Sequence, residues 1–434
     1  MSFSEIFKAY DVRGIYPDTI NEDMAYKIGR ATAVFLKLKG KTFVIGRDMR
    51  NSSKPIFEKL SQGFMDEGVN VVDVGLVSTD GLYFAVGNYR YAGGIMITAS
   101  HNPKEYNGMK FCREDAIPLS LDQGLAEIRD IAKENKFSDA KEKGNLEEKD
   151  VMDDYVKKIL SFIDINKIKP LKIVVDAGNG MAGKTFPEVA KHLPCEIIEM
   201  FFELDGTFPN HLANPILPEN VELLQKKVLE EKADFGMIFD GDADRVYLVD
   251  EKGVIISGTE MTAMISEKIL LKNKGDNIIY NASCGWVVPE TVEKYGGKPV
   301  MERGGHSYIK ATMRKVNAAF GGEHSGHYFF RDFYYADSGI IAGMIALEMI
   351  CQEEKELSEI ILPFRKYPAS GEINSVVEDK QGKMDEIKEL YKNEKITTID
   401  GVRVDTKDFW FVVRPSNTEP LLRLNVEAKT CKAS

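Results

Sequence analysis

Phe43-Val44-Ile45, then Ile56, Leu60 and Phe64 at helical spacing within residues 54–66, then Val69-Asn70-Val71-Val72: in order, the stretch from 43 to 72 reads as strand, helix, strand. Upstream, residues 22–37 carry apolar positions Ala25, Ile28, Ala33 and Leu36 at helical spacing. The pattern restarts at Leu171-Lys172-Ile173-Val174-Val175 and again at Asn277-Ile278-Ile279-Tyr280. Such alternation predicts mostly parallel sheets with helices on both faces. Polar Lys136 to Lys149 links the first two copies, and Val249-Asp250-Glu251-Lys252-Gly253 turns between the second and third. From about Lys366 short strands surround one helical stretch. The fold class expected is therefore α/β: three similar α/β domains with mainly parallel mixed sheets, plus a smaller C-terminal α+β domain. The boundaries fall at 1–150, 151–252, 253–365 and 366–434.

Sheets of this kind present reactive groups in loops at the carboxyl ends of their strands. Thr98-Ala99-Ser100-His101-Asn102-Pro103 follows the apolar strand Gly94-Ile95-Met96-Ile97. Pro103 lacks an N–H and Asn102 tolerates turn dihedrals, so the chain turns and Ser100 is pushed outward; a plain Ser/Asn/Pro turn is the bland alternative. Asp240-Gly241-Asp242-Ala243-Asp244-Arg245 follows Phe235-Gly236-Met237-Ile238-Phe239 and sets three carboxylates on alternate residues. Those oxygens suit a hard cation such as Mg2+ or Ca2+ and repel one another without it. An EF-hand, with Glu251 at its twelfth position, competes, but Arg245 stands where that loop needs glycine and its flanks read as strands.

Two further loops complete the set. Gly322-Glu323-His324-Ser325-Gly326-His327 offers a carboxylate, a hydroxyl and two imidazoles, groups that read sugar hydroxyls by paired donors and acceptors. Zinc on Glu323, His324 and His327 is the rival, with neither cysteine nor regular ligand spacing in its favour. Arg414-Pro415-Ser416-Asn417-Thr418-Glu419-Pro420 lies between the strands Phe409–Val413 and Leu421–Leu424 and has the donors of an oxyanion cradle.

In this order the four loops resemble those of the α-D-phosphohexomutase superfamily, in its phosphomannomutase/phosphoglucomutase branch, over nearly the whole chain. Ala9-Tyr10-Asp11-Val12-Arg13-Gly14 and Tyr106-Asn107-Gly108-Met109-Lys110 are similar to two further segments of that family. The resemblance implies interconversion of hexose 1-phosphate and hexose 6-phosphate, of mannose or glucose. A phosphoserine at Ser100 donates its phosphoryl group, the hexose 1,6-bisphosphate turns over, and the other phosphoryl returns. Mg2+ would sit on Asp240, Asp242 and Asp244 with the phosphate on Ser100. Arg245 adds a positive contact, Lys110 is the general acid/base and His101 assists. Glu323, Ser325, His327 and His306 would hold the sugar, and Arg414, Ser416, Asn417 and Thr418 the phosphate that does not react. Tyr10 and Arg13 support.

The resemblance also assigns the phosphoserine to the first domain, the metal to the second, the sugar to the third and the distal phosphate to the fourth. Ser283 stands where relatives often carry a basic residue, and His324 where glucosamine-type enzymes commonly carry glutamine. The loop around His324 is therefore more similar to that of the dual glucose/mannose enzymes, with phosphoglucosamine mutase as the alternative substrate reading and an idle sugar-phosphate-binding protein the non-enzymatic one. Relatives usually add a closing helix after Leu424-Asn425-Val426-Glu427-Ala428; Thr430-Cys431-Lys432-Ala433-Ser434 does not make one, so the fourth domain reads as a truncation or a natural short form.

Composition excludes more than it decides. A chain of 434 residues exceeds one core, and its formal charge of −11 argues against nucleic acid or anionic membranes as partners. Five scattered cysteines suggest reduced thiols, and no basic-then-apolar N-terminal pattern or long apolar run occurs, so a cytoplasmic monomer or homodimer is expected. One rival enzyme class has a motif of its own. Gly178-Asn179-Gly180-Met181-Ala182-Gly183, with Glu196 and Glu199 downstream, matches the dinucleotide fingerprint of an NAD-dependent dehydrogenase, although Asp176 would crowd a pyrophosphate.

Overall fold

The computed structural model describes residues 3–415 and 421–430. It divides into two compact units: Met1–Ile256 with Ser325–Ser358, and Ser257–His324 with Glu359–Ser434. The division falls inside the 253–365 segment, because the chain leaves the first unit after Ile256 and rejoins it at Ser325.

In the first unit the strand Thr42–Arg47 lies between Asn70–Leu76 and Gly93–Ile97, parallel to both. Tyr106–Arg113 then runs antiparallel to Gly93–Ile97, and Val12–Ile15 antiparallel to Tyr106–Arg113. Helices Glu22–Phe35 and Ser53–Asp66 place Ala25, Ile28, Ile56, Leu60 and Phe64 in one core with Phe43 and Ile45. The predicted strand-helix-strand unit is present with its ends moved by a few residues. A second sheet repeats the order: Glu196–Met200, Lys172–Asp176 and Phe235–Phe239 are parallel, and Val246–Asp250 returns antiparallel. Gly93–Ile97 and Phe235–Phe239 are buried at every position, the reason both read as unbroken apolar runs. The returning segment supplies the helix Gly339–Glu353, which is apolar nearly all round and buried from Gly339 to Cys351.

In the second unit Lys298–Glu302, Asn277–Asn281 and Phe320–Gly322 form the third set of parallel strands in the same order. The serine, aspartate and Gly322–His327 loops therefore leave equivalent strands of three repeats. The C-terminal part is an antiparallel sheet of Ala369–Val376, Leu421–Ala428, Phe409–Pro415, Val402–Asp405 and Lys395–Thr397, with one helix, Lys380–Leu390.

One element departs from the reading. Within the polar link, Leu146–Glu148 is a strand, parallel to Asn70–Leu76. All three residues are exposed, so backbone hydrogen bonds alone add it to the sheet edge and no apolar alternation announces it. Among the described residues no helix is long and apolar enough to cross a membrane.

Candidate active site

Ser100 sits at the end of its strand with φ of 49°, a left-handed conformation that costs a non-glycine residue about 1–3 kcal/mol. Its N–H donates to Thr98 Oγ1 at 2.8 Å, and its hydroxyl donates to Asp240 Oδ2 at 2.7 Å and lies 3.2 Å from His101 Nδ1. The serine and aspartate loops meet backbone to backbone: a Cβ on Gly241 would stand 2.5 Å from the Ser100 carbonyl oxygen, so only glycine fits there.

Asp240, Asp242 and Asp244 each place a carboxylate oxygen within 4.8 Å of the others, and all three are buried. Lys110 reaches them from the strand paired with Gly93–Ile97: its ammonium donates to Asp242 Oδ2 at 2.7 Å and to Asp244 Oδ2. Arg245 Nε donates to Asp240 Oδ2 at 3.0 Å, and Thr79 donates to Asp242 through both its hydroxyl and its N–H. Asp242 Oδ1 and Asp244 Oδ1 remain buried with no hydrogen-bond donor among the described residues. Buried, anionic and under-satisfied oxygens are what a hard divalent cation takes. The donor set fits Mg2+. It does not fit an EF-hand, because Phe235–Phe239 and Val246–Asp250 pair as a strand hairpin and Glu251 accepts instead from the Ser358 N–H.

The charges are strongly coupled. Burial pushes Asp240 up from the usual carboxylate range against the pull of Arg245, with Asp244 and Asp242 adding to the rise. Burial acts the same way on Asp242, but the ammonium of Lys110 and the Thr79 hydroxyl hold it well down. Burial works against the charge on Lys110, and the surrounding aspartates Asp242, Asp244, Asp337 and Asp240 outweigh it and hold the ammonium protonated. His101 is driven well below the usual imidazole value by burial and by the charges of Arg245 and Arg13, which leaves a neutral imidazole beside the serine hydroxyl.

The remaining candidates divide between the units. In the first, Arg13 donates to Asn102 Oδ1 at 2.7 Å and to Asp11, which ties the N-terminal segment to the serine loop, and Tyr10 is half-buried nearby in sequence. Ser325 and His327 are also in the first unit; His327 Nδ1 lies 3.0 Å from Asp337 Oδ2 and 3.6 Å from Asp244 Oδ1. In the second, Glu323 accepts from the Gly305 N–H at 2.8 Å, at the head of the helix His306–Val316, and His306 is buried. His324 turns its Nδ1 to Thr259 Oγ1 at 3.0 Å, which spends it on packing and not on a zinc ion with Glu323. Arg414 and Arg423, directly opposite on paired strands, share Glu372 at 2.9 and 3.4 Å. Ser416, Asn417 and Thr418 lie outside the described residues.

Three groups escape a motif reading: Thr79 on Asp242, Asp337 on His327, and Arg50 beneath the serine loop. Arg50 stands in the loop after the strand Thr42–Arg47 and Thr79 opens the helix Thr79–Tyr89 just after the strand Asn70–Leu76, so their position at the carboxyl ends of strands is the signal that could have found them. The dinucleotide fingerprint fails on packing. A Cβ on Gly180 would meet the Gly241 oxygen at 2.7 Å and one on Gly183 the Phe202 oxygen at 2.1 Å, so those glycines serve contacts within the protein. Asp176 is occupied by His211 and by the Gly178 N–H.

Comparison with known proteins finds matches along nearly the whole chain. Residues 4–139, 153–253 and 257–367 match the models of phosphoglucomutase/phosphomannomutase alpha/beta/alpha domains I, II and III, and residues 372–433 match that of the C-terminal domain. A phosphomannomutase of Vibrio cholerae is 42% identical over 435 residues, covering 98% of this chain and 94% of that protein. A phosphomannomutase of Escherichia coli K12 is 40% identical over 433 residues, with 98% and 94% covered. The crystal structure of a phosphoglucomutase/phosphomannomutase family protein from Burkholderia thailandensis superposes with a TM-score of 0.92 at 34% identity, covering 100% of this chain and 95% of that one. The chain belongs to the phosphoglucomutase/phosphomannomutase family.

Proposed function

We propose that the protein is a phosphohexomutase that interconverts hexose 1-phosphate and hexose 6-phosphate of mannose, glucose or both. It would act through a phosphoserine at Ser100 and a hexose 1,6-bisphosphate. The observation that carries the reading is the Ser100 hydroxyl 2.7 Å from Asp240, within a buried cluster of three aspartates, one lysine and one arginine. A binding protein has no use for so costly a concentration of charge beside one hydroxyl.

Asp240, Asp242 and Asp244 would hold Mg2+, which supplies positive charge to the transferring phosphoryl group. The chain's own residues do the rest. Arg245, anchored on Asp240, adds a fixed cation. Lys110 is the proposed general acid/base, and the aspartates around it favour its charged form. His101, held neutral with its Nδ1 3.2 Å from the Ser100 hydroxyl, is proposed to assist. In the second unit, Arg414 and Arg423 together offer two guanidinia for a distal phosphate, and Ser416, Asn417 and Thr418 are proposed as further ligands of it. Glu323 and His306 of the second unit, and Ser325 and His327 of the first, are each proposed as ligands of sugar hydroxyls. Tyr10 and Arg13 remain supporting residues.

The segments 1–150, 151–252, 253–365 and 366–434 are our proposed domains. A net charge of −11 and the free Cys112, Cys195, Cys284 and Cys351 support a cytoplasmic enzyme, monomeric or homodimeric, with hexose phosphates as its ligands. Steady-state kinetics with mannose 1-phosphate, glucose 1-phosphate and glucosamine 1-phosphate, in Mg2+ and in excess EDTA, test the reading. Turnover of mannose 1-phosphate, glucose 1-phosphate or both is expected in Mg2+ and not in EDTA. Preference for glucosamine 1-phosphate would favour the alternative substrate, and turnover of none would overturn the proposal.

A further inference from the structure

We infer that Arg50, which no sequence motif of the site includes, is the positioning residue that sets the attack geometry of Ser100. Its side chain is wholly buried, and each of its five N–H groups has an acceptor. One terminal nitrogen donates to the carbonyl oxygens of Ser100 at 2.8 Å and Asn102 at 2.6 Å, the other to those of Pro103 at 2.7 Å and Tyr106 at 2.9 Å. Nε donates to Asp48 Oδ2 at 3.2 Å. Asp48 is itself fixed by the Ser53 hydroxyl at 2.6 Å and the Arg50 N–H at 3.1 Å, and the Phe208 ring lies 5.0 Å from the guanidinium.

A guanidinium is planar and offers five donors in a rigid fork, and no other side chain can replace that arrangement. Four of those donors meet carbonyls of residues 100 to 106, the loop after the strand Gly93–Ile97 and the first residue of the strand Tyr106–Arg113. On its other side the Ser100 carbonyl is stopped by Gly241. The serine is thus gripped at its backbone between the two, in the left-handed conformation that turns its hydroxyl to Asp240. Arg50 touches neither the hydroxyl nor the carboxylates of the cluster, so it acts through the loop and not on the phosphoryl group.

The inference rests on the phosphohexomutase reading for its kinetic consequence, but the clamp can be observed without it. Arg50→Lys keeps the charge and loses the fork. Displacement of the nucleophile by about 1 Å costs on the order of a hundredfold in rate. We expect kcat to fall at least about that much in Arg50→Lys while KM for the hexose phosphate stays within about twofold, because the phosphate contacts lie elsewhere. Hydrogen exchange of the amides from Ser100 to Tyr106 in the intact protein should accelerate, with the rest of the first unit unchanged. Guanidinium at sub-denaturing concentration should recover part of the rate in Arg50→Ala and none in Arg50→Lys, where the amine fills the space. Asp48→Asn, which loosens only the Nε anchor, should give a smaller kcat loss in the same direction and serves if the Arg50 variants do not fold. Wild-type kcat in Arg50→Lys, or a rise in KM matching the fall in kcat, would overturn the inference; so would unchanged exchange in the loop. Absence of mutase activity in the wild-type protein would instead refute the phosphohexomutase reading, with loop exchange still reporting on the clamp.

Discussion

Lys110→Met removes an ammonium that bridges two of the three proposed metal ligands, and the structure sets the scale of the result. The lysine makes ion pairs with Asp242 at 2.7 Å and Asp244 at 2.5 Å, all three side chains being almost fully buried. At an effective dielectric of about 20 each pair attracts by about 6 kcal/mol. Desolvation of the ammonium returns several kcal/mol of that, and removal of one partner from a buried pair typically costs ~3–5 kcal/mol because the other charge is stranded. At about 2 °C per kcal/mol for a unit of this size, the metal-free variant should melt roughly 6–10 °C below wild type. Mg2+ would bind the carboxylates that the lysine has released, so it should raise the melting temperature of the variant more than that of wild type. The assay is differential scanning calorimetry of both proteins in EDTA and across a Mg2+ titration. Equal stability in EDTA would refute the claim that Lys110 neutralises the cluster. Equal stabilisation by Mg2+ would refute the claim that lysine and metal share those oxygens.

Arg414→Ala should raise KM for both hexose monophosphates by about thirtyfold, the equivalent of about 2 kcal/mol from a charge-assisted phosphate contact, with phosphorylation of Ser100 unaffected. Steady-state kinetics and intact mass check this, and an unchanged KM would place the distal phosphate elsewhere. His211 supplies a pH test. Burial works against its charge, but the Asp176 carboxylate at 3.0 Å outweighs that and raises its pKa above the ordinary value. Its stabilising contribution is therefore complete below the unfolded value of about 6.5 and disappears as pH rises through the raised folded value. Urea midpoints of wild type and His211→Gln should differ more at about pH 6 than at about pH 9; a flat or reversed difference contradicts the pairing.

Much of the fold was legible because the strongest signals are periodic or terminal. The strands Gly93–Ile97 and Phe235–Phe239 are buried on both faces and read as apolar runs, and each ends in a loop whose residue types already suggest chemistry. Less visible were features that depend on backbone pairing or on contacts far apart in sequence. Leu146–Glu148 joins the sheet through main-chain bonds with no side chain buried. Arg50 reaches a loop some fifty residues on, and Thr79 a carboxylate 163 positions away. Lys110 was named as an acid/base from its segment, but its double ion pair, and hence its protonated state, follows only from the strand register that sets it opposite Met96. The Gly322–His327 loop reads as one motif, whereas its two ends belong to different compact units, a division no local pattern encodes.

The central claim is that Ser100 carries the phosphoryl group between the two positions of the sugar. Incubation of the protein with radiolabelled glucose 1,6-bisphosphate in Mg2+, followed by peptide mapping and a chase with unlabelled mannose 1-phosphate or glucose 1-phosphate, measures it directly. The account predicts label on the peptide containing Ser100, its loss to the sugar at a rate no slower than turnover, and neither event in Ser100→Ala. Label on another residue, or mutase turnover near the wild-type rate in Ser100→Ala, would contradict it.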